Sequence, residues 1–314
     1  MKRRNFIRHL GTGTVLLGGA MTPLPLWAKD DRSVKLTILH TNDVHSRIEP
    51  FSSGRNAGKG GAARRAAAIA RIRQQEEHVL LFDSGDIFQG TPYFNMYGGE
   101  LEFKLMSQMK YDAATIGNHD FDAGIEGLEK QLPHADFPFL ISNYDFSDTV
   151  LAGRTRPYQV FHKGSLKIGV FGLGIALNGL VPKVLYRETR YLDPVAKAQE
   201  MATLLREEER CDYVICLSHL GYQYRDNSIS DVRLAQAVSG IDLILGGHTH
   251  TFLDEPTVVK NPDGDPVLIN QAGWAGIILG RLDVFFARNG KNTCVHCENL
   301  LVGGAALKMA NNIR

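Results

Sequence analysis

The sequence predicts an α/β fold with helices packed on both faces of its sheets. Two observations carry that reading. Short runs rich in Val, Ile and Leu recur at 34–43, 79–86, 113–120, 213–219 and 241–248, each closing on a polar tip; runs this short and apolar are strands buried on both faces. Segments of helix-forming residues lie between them, and alternation of the two element types is the pattern of an α/β layer structure.

Taken in order, V-K-L-T-I-L-H-T-N-D (34–43) is the first strand. Residues 61–77, dominated by Ala, Arg, Gln and Glu, form a helix because these are strong helix formers. V-L-L-F-D-S-G-D (79–86) and A-A-T-I-G-N-H-D (113–120) are the second and third strands, and L-K-I-G-V-F-G-L (166–173) is a further one. A helix over 194–209 begins at Pro194, which suits the first turn. Y-V-I-C-L-S-H (213–219) is a strand, and 229–238 is a helix because Ile229, Val232, Leu234, Ala235 and Val238 fall on one side. I-D-L-I-L-G-G-H (241–248) and P-V-L-I-N-Q-A (266–272) complete the set. With no linker, repeat or low-complexity tract, one domain is expected, followed by a frayed tail over 303–314.

The chain has 314 residues, 44% hydrophobic and 22% charged, ample apolar material for a core. Its net charge of +1 gives no electrostatic case for a nucleic-acid polymer or an anionic membrane as partner. The N-terminus combines basic residues, a short apolar segment and a small residue at Ala28, the composition of an export signal. Its apolar part is too short to span a bilayer as a mature helix. Arg3-Arg4-Asn5-Phe6-Ile7 resembles a bacterial twin-arginine signal. The expectation is therefore a signal over 1–28, a mature domain over 29–314, membrane contact only during export, and a periplasmic or exported location. Among four cysteines, Cys211 and Cys216 lie an odd number apart, on opposite sides of a strand, as do Cys294 and Cys297 if C-V-H-C is a strand. A lone C-x-x-C is a weak zinc signal, so buried free thiols are expected.

The chemistry lies in the tips. Asp43 and His45 follow the first strand, Asp86 the second, and Asn118 and His119 the third; His219 ends the 213–219 run, and His248 and His250 the 241–248 run. Ligands in open α/β sheets gather beyond the carboxyl ends of strands, and five of the eleven histidines sit there. Mixed nitrogen and oxygen donors without thiolate suit Zn²⁺, Mn²⁺ or Fe²⁺ rather than a Ca²⁺ cage. These ligand-capable groups exceed the needs of one tetrahedral ion, so two divalent ions are expected. A carboxylate bridges two metals where an imidazole does not, and Asp86 is the candidate. Two ions about 3.5–4 Å apart would hold an activated water and neutralise both oxygens of an in-line displacement.

D-V-H (43–45), G-D (85–86), G-N-H-D (117–120), S-H (218–219) and G-G-H-T-H (246–250) match, in order, the signature of calcineurin-like metallophosphatases. The wider blocks T-I-L-H-T-N-D-V-H-S, D-S-G-D-I-F-Q-G-T-P, I-G-N-H-D-F-D, L-S-H-L-G and L-I-L-G-G-H-T-H-T resemble the catalytic domain of bacterial 5′-nucleotidases over roughly residues 34–286. The resemblance implies a four-layer α/β/β/α sandwich with two metals at one end, and a hydrolase of small phosphate esters, nucleotides first, working by metal-bridged hydroxide attack. It implies that Asp43, His45 and His250 hold one metal, that Asn118, His219 and His248 hold the other, and that Asp86 bridges them. Asn118 and His119 would contact substrate, His119 stabilising or protonating the leaving oxygen. An aspartate must orient that imidazole and favour its charged form. Asp122, three residues on, shares a helical side with His119 and aligns with the family's orienting aspartate. Asp120 is expected to cap the helical turn, and Gly117 to let the strand turn sharply.

G-R-N-A-G-K-G (54–60) has three residues, not four, between its first two glycines, and Gly60 stands where a P-loop needs Ser or Thr. A flexible solvated loop bordering the cleft is expected instead. Full-length bacterial 5′-nucleotidases carry a C-terminal domain that binds the nucleotide, and this sequence stops after the catalytic region. The expectation is no such domain here, with a separate polypeptide supplying it or the substrate recognised otherwise. Three functions follow. The first is a nucleotide phosphoesterase. The second keeps the fold and metals but acts on a cyclic nucleotide, a sugar phosphate or, as thiosulfohydrolases do, a sulfur-linked group. The third is a non-catalytic metal-binding subunit, against which His119 and Asp122 stand, since metal storage needs neither.

Overall fold

The computed structural model describes residues 34–287 and 292–303. The export signal expected over 1–28, the side chain of Cys294 and the tail beyond 303 lie outside the described residues.

In chain order the elements are β1 (Val34–Thr41), α1 (Ala62–Gln75), β2 (Val79–Asp83), α2 (Pro92–Tyr97), α3 (Glu100–Gln108), β3 (Ala113–Ala114) and α4 (Gly124–Gln131). Next come β4 (Tyr144–Asp145), β5 (Tyr158–Lys163), β6 (Leu166–Leu173), α5 (Lys183–Tyr186), β7 (Arg190–Tyr191), α6 (Pro194–Thr203), β8 (Tyr213–Ser218) and α7 (Asp231–Ala237). The last are β9 (Leu243–Leu245), β10 (Thr257–Lys260), β11 (Pro266–Asn270), β12 (Ile278–Phe286), β13 (Asn292–Cys297) and β14 (Leu300–Leu301). One six-stranded sheet runs β13-β12-β1-β2-β3, with β14 paired to β12; β1, β2 and β3 are parallel and β12 is antiparallel to β1. The other runs β10-β11-β9-β8-β6-β5, parallel in its centre and antiparallel at both edges.

Three apolar clusters separate four layers. Side chains alternate across a strand, so Leu80 and Phe82 of β2 enter one cluster while Val79 and Leu81 enter another. The middle cluster joins the sheets: Leu36, Ile38, Leu80 and Phe82 meet Ile168, Val170, Ile215 and Leu217. Outside the first sheet, Ile69 and Ile72 of α1, Phe103 of α3 and Leu128 of α4 pack with Leu39 and Leu81. Outside the second, Ala198 and Met201 of α6 and Leu234 of α7 pack with Phe171, Val214 and Ile244. Each large side chain so buried contributes about 1.5–3 kcal/mol. This is the α/β/β/α sandwich.

Several elements depart from expectation. The third strand is only two residues long: the Thr115 N–H donates to the Asp83 carbonyl, and the chain then turns into a 3₁₀ turn at His119–Phe121. The helix over 194–209 is α6 continued by a π-helical turn at Leu204–Glu208. α7 is shorter than 229–238 because Ser230 caps it, its hydroxyl accepting the Arg233 N–H. β12, beside β1, escaped the apolar pattern because Gly280, Arg281 and Asp283 interrupt it. A Cβ at 280 would lie 2.1 Å from the His40 ring, and Asp283 accepts the Thr37 hydroxyl and pairs with Lys35 and Arg281. Cys211 precedes β8, so strand parity does not separate it from Cys216; both enter the outer cluster, and Cys211, Cys216 and Cys297 are free thiols. The 54–60 segment is pinned rather than loose: Phe51 N–H donates to the Lys59 carbonyl, Gly58 N–H to Phe51, and Gly60 N–H to Val302.

Candidate metal centre

The loops leaving β1, β2 and β9 are laced together by backbone hydrogen bonds, some through a side chain. The Asp43 N–H donates to the Gly85 carbonyl (2.9 Å), His45 N–H to Asp86 (3.0 Å) and Ser46 N–H to Ile87 (2.8 Å). The His248 N–H reaches both carboxylate oxygens of Asp43, at 2.9 and 3.0 Å. Residues other than glycine seldom hold a positive φ, yet Asp43, His45, Ser46, Asp86, His248 and His250 all do, between 50° and 70°. Such strain costs about 1–3 kcal/mol per residue and persists where the surroundings over-determine it.

Two groups of donor atoms result. Asp43, His45 and His250 each place one within 4.8 Å of the others, and so do Asp86, His219 and His248. The His219 Nδ1–H donates to the Ser84 carbonyl at 2.6 Å. Nε2 is left buried without a hydrogen bond, 3.2 Å from Asp86 Oδ2, and in the neutral imidazole it is the nitrogen free to ligate a cation. His45 directs Nδ1 at the Phe88 carbonyl (3.2 Å); its Nε2 lies 3.0 Å from His250 Nε2 and 3.8 Å from the same Asp86 oxygen. Asp86 Oδ2 therefore stands between the two groups. Asn118 joins the second group, its Oδ1 2.9 Å from His248 Nδ1.

Asp43 and Asp86 are sealed from solvent, and a buried carboxylate is costly unless a cation compensates it. Burial depresses His45 and pushes His248 down to about 4. Burial also opposes a charge on His219, but the Asp86 carboxylate overrides it and draws that imidazole up to about 10. Asp86, raised by burial, is held well below the carboxylate range by His219 and His45. The two carboxylates sealed from solvent call for positive charge in the space between these groups. The orphaned Nε2 of His219 and the mixed imidazole and carboxylate donors fit divalent cations.

His119 opens the 3₁₀ turn, its N–H on Asp86 Oδ1 at 2.8 Å and its ring edge-on to His45, centroids 5.3 Å apart. Its Nδ1–H donates to Asp122 Oδ2 at 2.9 Å, and that bond raises the imidazole's pKa. Asp120 departs from expectation. It caps no helix; its carboxylate accepts the N–H groups of Gly117 (2.8 Å), Asp86 (3.1 Å), Ile87 (2.9 Å) and Phe88 (3.1 Å). Burial and the neighbouring Asp86 raise it to about 7, against the N–H groups of Gly117 and Phe88 and the His219 imidazole. The available signal was the D-I-F stretch at 86–88, whose N–H groups need acceptors. Gly117 serves by size rather than by turning: a Cβ there would lie 2.2 Å from Asp86 Oδ1. Sequence reasoning also missed Asn42, which donates to Asp43 Oδ2 at 2.6 Å, and Gln271, which donates to the Gly247 carbonyl at 2.7 Å.

The family model of calcineurin-like phosphoesterases matches residues 36–252. The chain belongs to that family. This calcineurin-like phosphoesterase is 37% identical over 284 residues to a snake venom 5′-nucleotidase of Crotalus adamanteus, covering 82% of this chain and 46% of that one. It is 33% identical over 299 residues to a 5′-nucleotidase of Homo sapiens, covering 86% and 50%. It is similar in fold to the crystal structure of a 5′-nucleotidase precursor from Thermus thermophilus, with a TM-score of 0.77, 34% identity, and coverage of 86% and 55%. The chain spans about half the length of the curated relatives it matches. The five motifs fall within the matched span, and the expected fold and phosphoesterase class stand.

Proposed function

We propose that this phosphoesterase hydrolyses nucleoside monophosphates with the help of two divalent ions. One observation carries the reading: two donor groups meet at Asp86, whose Oδ2 lies 3.2 Å from His219 Nε2 and 3.8 Å from His45 Nε2, and the His119–Asp122 pair lies beside them. Metal binding alone needs no oriented imidazole, whereas expulsion of an ester oxygen does. The choice of nucleotide is supported by relatives named 5′-nucleotidase at 37% and 33% identity.

Asp43, His45 and His250 would hold one ion, and Asn118, His219 and His248 the second, with Asp86 between them. Ions held there supply Lewis acidity toward phosphoryl oxygens and lower the pKa of water. The chain's own residues do the rest. Asp122 takes the Nδ1–H of His119, which turns Nε2 toward the substrate with a proton. As the phosphorus–oxygen bond breaks, that proton passes to the departing oxygen, and the nucleoside leaves neutral. Asn118, beside His248, contacts the phosphate. Burial of Asp43 and Asp86 keeps bulk water from the donors.

The test is a substrate panel with Mn²⁺ and metal analysis on one preparation: AMP, 3′,5′-cyclic AMP, glucose 6-phosphate and p-nitrophenyl phosphate. AMP should be cleaved best, with release of phosphate. Preference for the cyclic or sugar ester reassigns the substrate, and no cleavage of any ester refutes an enzymatic role. Residues 1–28 are proposed to direct export by the twin-arginine route. N-terminal sequencing of the periplasmic protein should find a start near Lys29; an intact Met1 would count against it.

A further inference from the structure

The open edge of the metal centre carries an aromatic strip that the hydrolytic scheme does not use. The side chains of Asp43, Asp86 and His219 are 0–2% exposed, whereas those of His119 and His250 are 39% and 40% exposed. Substrate therefore reaches the centre past these two histidines. There the Trp274 indole stacks on His250, centroids 5.6 Å apart and planes 6° from parallel. Phe51 meets the indole edge-on at 5.7 Å, and the Arg47 guanidinium lies over the Phe51 ring, 4.3 Å from its centroid. Phe252, 50% exposed, rests against the backbone of Gly273, next to Trp274.

The strip is held in place. Gly273 N–H donates to the Thr251 carbonyl (3.0 Å), and Ala275 N–H to the Asp43 carbonyl (2.7 Å), which ties Trp274 on both sides to ligand-bearing loops. The hairpin-like turn of 51–60 fixes Phe51. Arg47 has no carboxylate partner among the described residues, and its Nε is buried without a hydrogen-bond partner. Packing alone accounts poorly for a half-open run of aromatic rings ending in a guanidinium that no carboxylate among the described residues neutralises. Aromatic faces and a donor fork are what a planar heterocycle requires.

We infer that this strip binds the heteroaromatic base of the substrate's leaving group. The base lies against Trp274, Phe51 and Phe252, Arg47 donates to its ring nitrogen or carbonyl, and the ribose spans back to the phosphate beside His119. The inference rests on the phosphoesterase reading above and gives this chain a base-recognition surface of its own.

Trp27 and Trp274 are the only two tryptophans, so indole fluorescence reports on the strip. Titrating the full-length protein with adenosine, which carries no phosphate, should quench emission saturably; ribose should not, and Trp274→Phe should abolish the quench. Phe51→Leu and Arg47→Met should each weaken adenosine binding. They should also lower kcat/KM for AMP about tenfold relative to ribose 5-phosphate, mainly through KM, with metal content unchanged. Equal losses on both esters, or adenosine binding unaltered in Phe51→Leu and Arg47→Met, overturn the strip and leave the phosphoesterase reading standing. Wild-type protein that cleaves neither ester overturns both.

Discussion

Replacing Asp120 by Asn separates its role from that of Asp122. One carboxylate oxygen of Asp120 takes the N–H groups of Ile87 and Phe88, and the other takes those of Asp86 and Gly117. Asparagine keeps the volume and one oxygen but turns an amide NH₂ toward two of these donors. Each buried N–H left without an acceptor costs about 1–3 kcal/mol, so the loss is roughly 2–6 kcal/mol out of a total stability of about 5–15 kcal/mol. For a chain of this size Tm should fall by on the order of 10 °C. The four donors include the N–H of Asp86 itself and that of Gly117, which precedes Asn118, so disturbing the set should lower metal content together with Tm. Asp122→Asn alters the partner of His119 alone; it should keep Tm and metal content while lowering kcat. Thermal unfolding, metal analysis and kcat are measured on the same preparations. An Asp120→Asn protein with wild-type Tm and metal content would refute the reasoning, as would a larger kcat loss from Asp120→Asn with no loss of metal.

Three other substitutions have defined outcomes. His119→Ala should lower kcat about 10²–10⁴-fold while both ions stay bound; loss of metal would make His119 a ligand instead. Asp86→Asn should lose metal and activity together, and full activity in that variant removes Asp86 from its place between the two groups. His40, buried with its Nε2 2.9 Å from the Asn270 amide nitrogen, is pushed by burial from 6.5 down to about 3. Because that folded pKa is depressed, the folded protein binds fewer protons than the unfolded chain. Stability is then full above about pH 6.5 and is lost by up to about 1.4 kcal/mol per pH unit as pH falls toward 3. Urea unfolding of His40→Gln should show a shallower pH slope than wild type between about pH 4 and pH 7; an unchanged slope rules His40 out as a source of acid lability.

Strands buried on both faces announce themselves as unbroken apolar runs, which is why β1, β2, β6, β8 and β9 are readable from the residues alone. β12 is not, because Gly280, Arg281 and Asp283 break its pattern, and the groups that explain them, His40, Thr37 and Lys35, lie on β1. The placement of Asp43, His45, Asp86, Asn118, His219, His248 and His250 is legible for a topological reason: each follows a strand whose carboxyl end faces the same edge. His119 and Asp122 are legible through helical spacing, which survives even in a single 3₁₀ turn. Asp120 is opaque because its four donors include three from a loop more than thirty residues earlier, so its neighbours in sequence give the wrong partner. The aromatic strip is opaque for the same reason: Arg47, Phe51, Phe252 and Trp274 come from three separate loops and meet only when the sheets bring those loops together.

Two divalent ions, held through Asp86, are proposed to drive phosphate release from a nucleotide. The most direct test is to strip the protein with a chelator, add Mn²⁺ in known increments, and measure bound metal and phosphate released from AMP on the same sample. Activity should rise to a plateau at two ions per chain and disappear when the chelator returns. A plateau at one ion per chain, or AMP hydrolysis that survives complete removal of metal, would contradict the two-ion proposal.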